Sequence, residues 1–567
     1  MLNFSSWLAG AAGGLLLLAP LASALAQAPT IISLTPAANA RAVPRNASVV
    51  ATFSQPLAAG SAGALKVFSS QRGGLRGLAT VAGSTITVAP AAYDFRPGET
   101  VQYTVTTAAV SSGGALAQAR VGRFSTAVGG TGRGTFGGGA EVAVGNAPQA
   151  VTVADVDGDG DLDLLTASSV TDLVSVRFNN GQGMFGTGQD VSMGGIISCL
   201  AVADVDGDGD LDLLASDYNS CYGTSVGVRL NNGLGLFGLS QRVLVSPGPN
   251  ALVLGDVDGD GDLDLLATSC SFGSSGTVSV RLNNGAGVFG GNQNVLVNGS
   301  ATNVALGDVD NDGDLDLLAA ITGISTVSVC LNDGTGTFGN FQDTYTNVAA
   351  MKLATGDLDG DGDLDLVVGS VMGSSISVRF NNGNGLFNSG QVLQVGSFPY
   401  AVTLGDVDAD GDLDLLAANS NNGVASTVSV LLNNGSGAFS ASQLVSTGAN
   451  SIDLVLGDID ADGDLDLLTC NSVANSVSIR LNNGTGPLAT APSRARAALT
   501  AYPNPTTGRV ALALPPAATR AELLDPLGRV VRVVPALAGT ATLDVTGLAP
   551  GLYVVRAAGE AVRLVVE

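Results

Sequence analysis

Short apolar runs alternating with polar residues and broken by Gly, Asn and Pro fill most of the chain, a period-two pattern that predicts strands. It is clearest from residue 150 onward. One apolar strand, Ala150-Val151-Thr152-Val153-Ala154, enters an acidic loop; a second, residues 162–167, leaves it; a third, Val174-Ser175-Val176-Arg177-Phe178, follows. Next comes a tight turn, Asn179-Asn180-Gly181-Gln182-Gly183, whose Asn and Gly residues tolerate positive φ. An aromatic is expected to start the fourth strand, at Phe185, Phe237, Phe289, Phe338, Phe387 and Phe439.

The acidic loop identifies the repeat. Its first copy is Asp155-Val156-Asp157-Gly158-Asp159-Gly160-Asp161-Leu162-Asp163. The same five acids recur at Asp204, Asp206, Asp208, Asp210 and Asp212; at Asp256, Asp258, Asp260, Asp262 and Asp264; and at Asp308, Asp310, Asp312, Asp314 and Asp316. They return at Asp357, Asp359, Asp361, Asp363 and Asp365; at Asp406, Asp408, Asp410, Asp412 and Asp414; and at Asp458, Asp460, Asp462, Asp464 and Asp466. The loops start 49 or 52 residues apart, a period that fits four strands plus turns and so one propeller blade. A nine-residue calcium solenoid would repeat far faster and is excluded. The seventh copy reaches Asn482-Asn483-Gly484-Thr485-Gly486 but then has Pro487 and no aromatic strand. Gly134-Thr135-Phe136 and Glu141-Val142-Ala143-Val144, ahead of the first copy, supply a strand with no blade of its own. The expected fold is therefore all-β, a seven-bladed β-propeller over residues 132–487, closed by its amino-terminal strand so that no sheet edge stays open.

Both flanks differ. Residues 28–128 carry short strands such as Ser48-Val49-Val50-Ala51-Thr52-Phe53 and Val101-Gln102-Tyr103-Thr104-Val105, spaced as in a β-sandwich. With its Ile31-Ile32-Ser33-Leu34-Thr35-Pro36 opening and Tyr93-Asp94-Phe95-Arg96-Pro97-Gly98 turn, this stretch resembles the bacterial Ig-like domains, which implies a spacer role. Gly129-Gly130-Thr131-Gly132 reads as a hinge. Past an Ala/Pro/Ser/Arg linker at 488–497, residues 498–567 read as a second small sandwich, with Tyr502-Pro503-Asn504-Pro505 at its start and Gly551-Leu552-Tyr553 in a late strand. These motifs resemble the type A sorting domain of the type IX secretion system, although family members often end on a basic residue where this chain has Glu567. The resemblance implies that secretion machinery as a partner and a destination at the cell surface or in the medium. An apolar run from Leu8 to Leu25 followed by Ala24-Leu25-Ala26 predicts a signal peptide over 1–26. The run is long enough for a membrane anchor, but the small residues at the cleavage position favour a signal, and no later segment matches its apolar length.

Composition narrows the chemistry. The 567-residue chain has no histidine, which removes His-based triads, His-ligated zinc or iron and imidazole bases. Its formal charge is −25, yet the seven loops hold 35 of the 49 acids; the remaining fourteen face 24 bases. The acidity is local, and nucleic acid is not an expected partner. Five cysteines are an odd number: Cys199 with Cys221, or Cys221 with Cys270, are the pairings in view, and at least one thiol stays free.

Carboxylates at positions 1, 3, 5 and 9, a backbone carbonyl at 7 and glycine at 6 are what a calcium ion with six to eight oxygen ligands needs. An EF-hand would place Glu at position 12, where Thr166, Ala215, Ala267, Ala319, Val368, Ala417 and Thr469 stand, so position 9 must supply the bidentate carboxylate. Magnesium prefers a tighter octahedron and keeps more of its water. With Phe136-Gly137-Gly138-Gly139-Ala140 and Phe289-Gly290-Gly291, the array resembles the FG-GAP/VCBS repeats of integrin α-subunit propellers, implying about seven Ca²⁺ sites, one per blade. Seven ions would move the formal charge from −25 to −11. The expected function is a non-catalytic, surface-displayed binding or adhesion module for an extracellular protein or polysaccharide. The alternatives are a polysaccharide-degrading enzyme and a lectin-like binder. A hydrolase needs paired carboxylates, and outside the loops the propeller offers only scattered Asp172, Asp190, Asp217, Asp333, Asp343 and Asp453. Ligand contacts are expected away from the loops, on the variable connections Asp217 to Gly223, Ser269 to Gly276 and Asn419 to Ser426.

Overall fold

The computed structural model describes residues 27–482 and 500–566, apart from 74–78, 90–93, 239, 271–275, 424, 503–505, 507, 515–519, 525–528, 536–539 and 558–559. The run at 1–26 and the linker at 488–497 lie outside the described residues. The chain divides into two compact units, 1–487 and 488–567.

Seven antiparallel sheets of the same design make up the repeat region among the described residues. In the first, Pro148–Ala154, Asp163–Ser168, Leu173–Arg177 and Gln189–Ser192 lie side by side in chain order. Each acidic loop joins the first two strands of its sheet. The second strands are buried along their whole length (Asp163–Ser168, Asp316–Ile321 and Asp466–Asn471 show no exposed position), which is why in these three a Leu-Leu pair and then small or uncharged residues follow the initial Asp. The seventh sheet takes Ser451–Gly457, Asp466–Asn471 and Ser476–Asn482 from its own repeat, and Phe136–Gly137 and Glu141–Ala143 from upstream.

Seven apolar clusters fill the joints, each drawn from two consecutive sheets. Leu213 of the second sheet packs with Leu165 of the first, and Ile452 and Leu468 of the seventh pack with Val153 and Leu164 of the first, so the ring closes. The aromatics sit differently from the expectation. Only Phe289 begins a fourth strand; Phe185, Phe338 and Phe439 instead make single bridges to Asn179, Asn332 and Asn433, and the strands begin later. Packing is the reason, because each ring turns into the joint with the preceding sheet. Phe237 joins the first-to-second cluster, Phe338 the third-to-fourth, and Phe185 the seventh-to-first. Phe136 fills the sixth-to-seventh joint, the place the seventh repeat leaves without a phenylalanine of its own.

The N-terminal sandwich pairs Ile31–Thr35, Val49–Phe53, Thr85–Val88 and Ala79–Ala82 in one sheet and Leu65–Ser69, Thr100–Val105 and Arg120–Ser125 in another. Phe53, Tyr103, Phe95 and Phe124 are buried between them, with Phe95 edge-on to Phe124 at 5.6 Å. A spacer held away from the ring is not what the structure shows: the sandwich lies on the acidic-loop end. Val121 belongs to the apolar cluster between the third and fourth sheets, and Arg123 reaches inward to the carbonyl and hydroxyl of Thr355 at 3.0 and 2.7 Å. Burial lowers the Arg123 pKa to about 10. Nor is 129–132 a hinge. The Gly129 N–H donates to Gly463 at 2.9 Å and that of Thr131 to Asp464 Oδ2 at 3.2 Å, which ties the segment to the seventh loop.

In the second unit, Thr500–Tyr502, Arg509–Ala513 and Thr540–Asp544 form one sheet, and Val530–Pro535, Arg520–Leu524, Gly551–Ala557 and Glu560–Val566 another. Val510, Leu512, Leu523, Val555 and Leu564 make its core, and the buried Tyr553 hydroxyl donates to Ala549 at 2.9 Å.

Candidate metal centre

Each acidic loop coils on itself. The Asp159 N–H donates to Asp157 Oδ1 at 3.2 Å and that of Asp161 to Asp159 Oδ1 at 2.9 Å. The glycine at position 6 takes φ between +95° and +101° in all seven copies, a left-handed conformation that an L side chain resists. The coil brings carboxylates together. Oxygens of Asp155, Asp157 and Asp163, of Asp204, Asp206 and Asp212, and of Asp308, Asp310 and Asp316 lie within 4.8 Å of one another, as do those of Asp256, Asp258 and Asp260 and of Asp357, Asp359 and Asp361. Positions 1, 3, 5 and 9 all contribute.

Position 9 is held from two sides. Asp163 Oδ2 accepts from the Val156 N–H at 3.1 Å and Oδ1 from the Asn179 N–H at 2.9 Å, and Asp212, Asp264, Asp316, Asp365, Asp414 and Asp466 are gripped in the same way. Each oxygen keeps a lone pair for a further partner. Burial pushes Asp163, Asp264, Asp316 and Asp466 up to about 8, and Asp212, Asp365 and Asp414 to about 7. At position 1, burial raises Asp155, Asp204, Asp308 and Asp406 to about 6.

Several of these oxygens are buried with no hydrogen-bond partner: Asp155 Oδ1, Asp308 Oδ1 and Asp458 Oδ1 at position 1, and Asp408 Oδ1 and Asp460 Oδ1 at position 3. Buried, convergent, unsatisfied carboxylate oxygens fit a hard divalent cation, since no hydrogen-bond donor among the described residues reaches them. Position 7 differs: a Cβ on Gly181 would lie 2.6 Å from Asp161 Oδ2, and one on Gly233 2.5 Å from Asp210 Oδ2. Its side chains face the turn between the third and fourth strands, leaving the backbone carbonyl as the group it can offer a cation.

The first Asn of each turn has a role that turn propensity hides. Asn179 Nδ2 donates to the Leu162 carbonyl of its own loop and the Ile459 carbonyl of the preceding loop, and Asn231, Asn283 and Asn332 repeat the arrangement. Asn381, Asn433 and Asn482 reach Val309, Leu358 and Val407 of the loop before. Every metal loop is thus tied to its neighbour through a buried amide. The visible signal is an Asn present in all seven copies one place before the Asn-Gly of the turn, or before Asp333-Gly334 in the fourth.

At the end remote from the loops, the starts of all seven inner strands enclose a socket of about 210 Å³ lined by Ser198, Asn250, Asn303, Lys352, Tyr400 and Asp453 among others. Lys352 Nζ meets Asp453 Oδ1 at 2.5 Å across it, and Asp453 Oδ2 accepts from the Val151 N–H. The other scattered acids have local partners: Asp190 with Arg177, Asp217 with Arg242, Asp172 with Ser192 and Asp343 with Ser328. On this side Cys221 and Cys270 form a disulfide between connections of the second and third sheets; Cys199, Cys330 and Cys470 are free.

Comparison with known proteins assigns the parts. The FG-GAP-like repeat model matches six overlapping stretches, 155–215, 204–267, 256–319, 315–368, 357–417 and 406–469, more than half of the chain. The chain belongs to the FG-GAP-like repeat family. The bacterial Ig-like domain model matches 26–126 and that of the secretion system C-terminal sorting domain 500–566. This FG-GAP protein is therefore exported to the cell surface or the medium, and no helix among its described residues is long and apolar enough to cross a membrane. No curated protein matches. Similar solved structures include an Agrocybe aegerita lectin described as recognising non-reducing terminal N-acetylglucosamine (20% identity, 74% of this chain and 97% of that one, TM-score 0.40). Others are the BP39L lectin of Burkholderia pseudomallei (12%, 61% and 99%, 0.46) and a functionally unknown protein of Desulfotomaculum acetoxidans (12%, 67% and 98%, 0.37).

Proposed function

We propose that this protein is a secreted, calcium-loaded, seven-bladed propeller acting as a binding or adhesion module, with its ligand face opposite the acidic loops. The parts are a signal peptide at 1–26, an Ig-like domain at 28–128, the propeller at 132–487, a linker at 488–497 and the sorting domain at 498–567. Calcium is held by the carboxylates at positions 1, 3, 5 and 9 and the carbonyl at 7, about one ion per sheet. The observation that carries the choice of face is the N-terminal domain lying on the loop end: Arg72 and Arg96 approach Asp155, Val121 meets Gly313, and Arg41 lies between Asp357 and Asp412. A large ligand is left the other end, with its socket and its unequal connections. Local partners for Asp172, Asp190, Asp217 and Asp343, and the absence of a catalytic description among the matching families, favour binding over hydrolysis.

The test is retention of the calcium-loaded chain on immobilised chitin, cellulose, xylan, alginate and collagen, with reducing ends assayed in parallel. Retention lost on exchanging the 217–223 connection for its counterpart at 419–426, with calcium-dependent melting intact, supports the reading. Release of reducing ends would establish the enzyme instead.

A further inference from the structure

Four loops offer the N-terminal domain and the segment that leaves it the same atom. The carbonyl of the position-6 glycine accepts from Arg96 at Gly160, from the Val121 N–H at Gly313 (2.7 Å), from Asn39 Nδ2 at Gly362 (3.1 Å) and from the Gly129 N–H at Gly463 (2.9 Å). Cations back these contacts: Arg41 stands 3.7 Å from Asp357 Oδ2 and 3.4 Å from Asp412 Oδ1, and Arg72 stands 3.8 Å from Asp155 Oδ2. The two oxygens of Asp155 face different partners, since Oδ2 has the guanidinium groups while Oδ1 is buried without a donor. At Asp155 the guanidinium groups therefore neutralise charge without taking the Oδ1 oxygen.

The position-6 glycine lies between the carboxylate at 5 and the residue at 7, in a left-handed backbone turn enclosed by the loop's carboxylates. Without a cation these carboxylates repel, and a loop that relaxes carries its glycine carbonyl with it. We propose that docking of the Ig-like domain on the loop ring is thermodynamically linked to cation loading, each strengthening the other. The inference rests on the calcium reading above. It makes the Ig-like domain the resident ligand of the loop face, engaged when the loops are filled. Reciprocity follows, so loosening the domain must weaken cation binding at the loops it touches.

Hydrogen exchange on the full chain tests this, in calcium and in chelator. The Val121 and Gly129 amides are expected to exchange at least tenfold faster in chelator, while Tyr103 inside the sandwich and Leu165 inside the ring stay protected. Equal protection of Val121 and Gly129 in both conditions, with calcorimetric calcium binding present, overturns the linkage; no calcium binding at all overturns the calcium reading instead. If chelation opens the ring and exposes Leu165, the decision passes to the reciprocal measurement. There, Asn39→Ala, at the partly exposed rim of the contact, removes a neutral contact and should weaken calcium several-fold at the loop it touches. Unchanged affinities at every site would refute the proposal.

Discussion

Asn179 donates to the Ile459 carbonyl at 2.8 Å, so a single buried amide joins the first sheet of the ring to the last. Its second bond goes to Leu162 at 3.1 Å, so Asn179→Ala takes a donor from two carbonyls, of which Ile459 keeps the Gly183 N–H at 2.9 Å. A loss of about 1–3 kcal/mol is expected, read as a fall of a few degrees in calorimetric Tm. Asn180→Ala, in the exposed turn, should cost much less. Equal effects would mean that the amide is not the tie described.

Protons and cations should compete for the loops. Asp163, Asp264, Asp316 and Asp466 hold their protons up to about pH 8 when buried and cation-free, whereas in the unfolded chain they lose them near about 3.9. Their raised values contribute stability that is fully present below about pH 4 and is lost as pH rises through about 8, because the native state binds more protons over that window. In chelator, Tm should therefore fall between pH 6 and 8.5. In calcium it should stay level or rise, and binding near pH 7 should release protons, seen as buffer-dependent heat. A Tm in chelator that climbs over this range would contradict the burial of these carboxylates.

Repeat period, acidic spacing and the displaced strand before the first repeat made the ring and its closure legible, because local sequence dictates each sheet. Phe136 was readable as the missing aromatic of the seventh repeat. The docking of the N-terminal domain was not. Its contacts come from Asn39, Arg41, Arg72, Arg96 and Val121, scattered over several strands and turns, and no periodicity marks an interface assembled that way. The Asn179 tie was hidden for another reason: Asn before Asn-Gly already has a sufficient local explanation in the turn.

Calcium should be part of the fold. Chelation is expected to lower Tm by many degrees, with calcium restoring it, because the ion binds the coiled loop and not the unfolded chain. Calorimetry should count about one ion per loop; fewer than about four would end the reading of one site per sheet. Asp157→Ala should remove one ion and destabilise its joint without preventing ring formation, since the remaining loops are tied through Asn231 to Asn482.

Deleting residues 498–567 removes a unit with its own core of Val510, Leu523, Val555 and Leu564. The expected product is folded and calcium-binding but held in the periplasm, shown by fractionation, while the full chain reaches the surface and loses its tail there. Normal display of the truncated chain would refute the address role.

Position 4 of the loops carries a smaller, sharper test. Gly158, Gly207, Gly259 and Gly360 have φ from +71° to +83° there, but the sixth and seventh loops place Ala409 and Ala461 in the same region, both at +61°. An L residue pays roughly 1–2 kcal/mol in that conformation, partly offset by the freedom glycine gains in the unfolded chain. Ala409→Gly and Ala461→Gly should each stabilise the calcium-loaded protein by up to about 1 kcal/mol, and together by about twice as much, because the loops do not touch the same partners. The reverse change, Gly158→Ala, should destabilise by a similar amount. No side-chain clash contributes to that cost, since the nearest atom to the new Cβ is the Gly233 carbonyl oxygen at 3.4 Å. Chemical denaturation in calcium measures all four variants. A neutral Gly158→Ala would show that this part of the loop does not hold the left-handed backbone on which the coil depends.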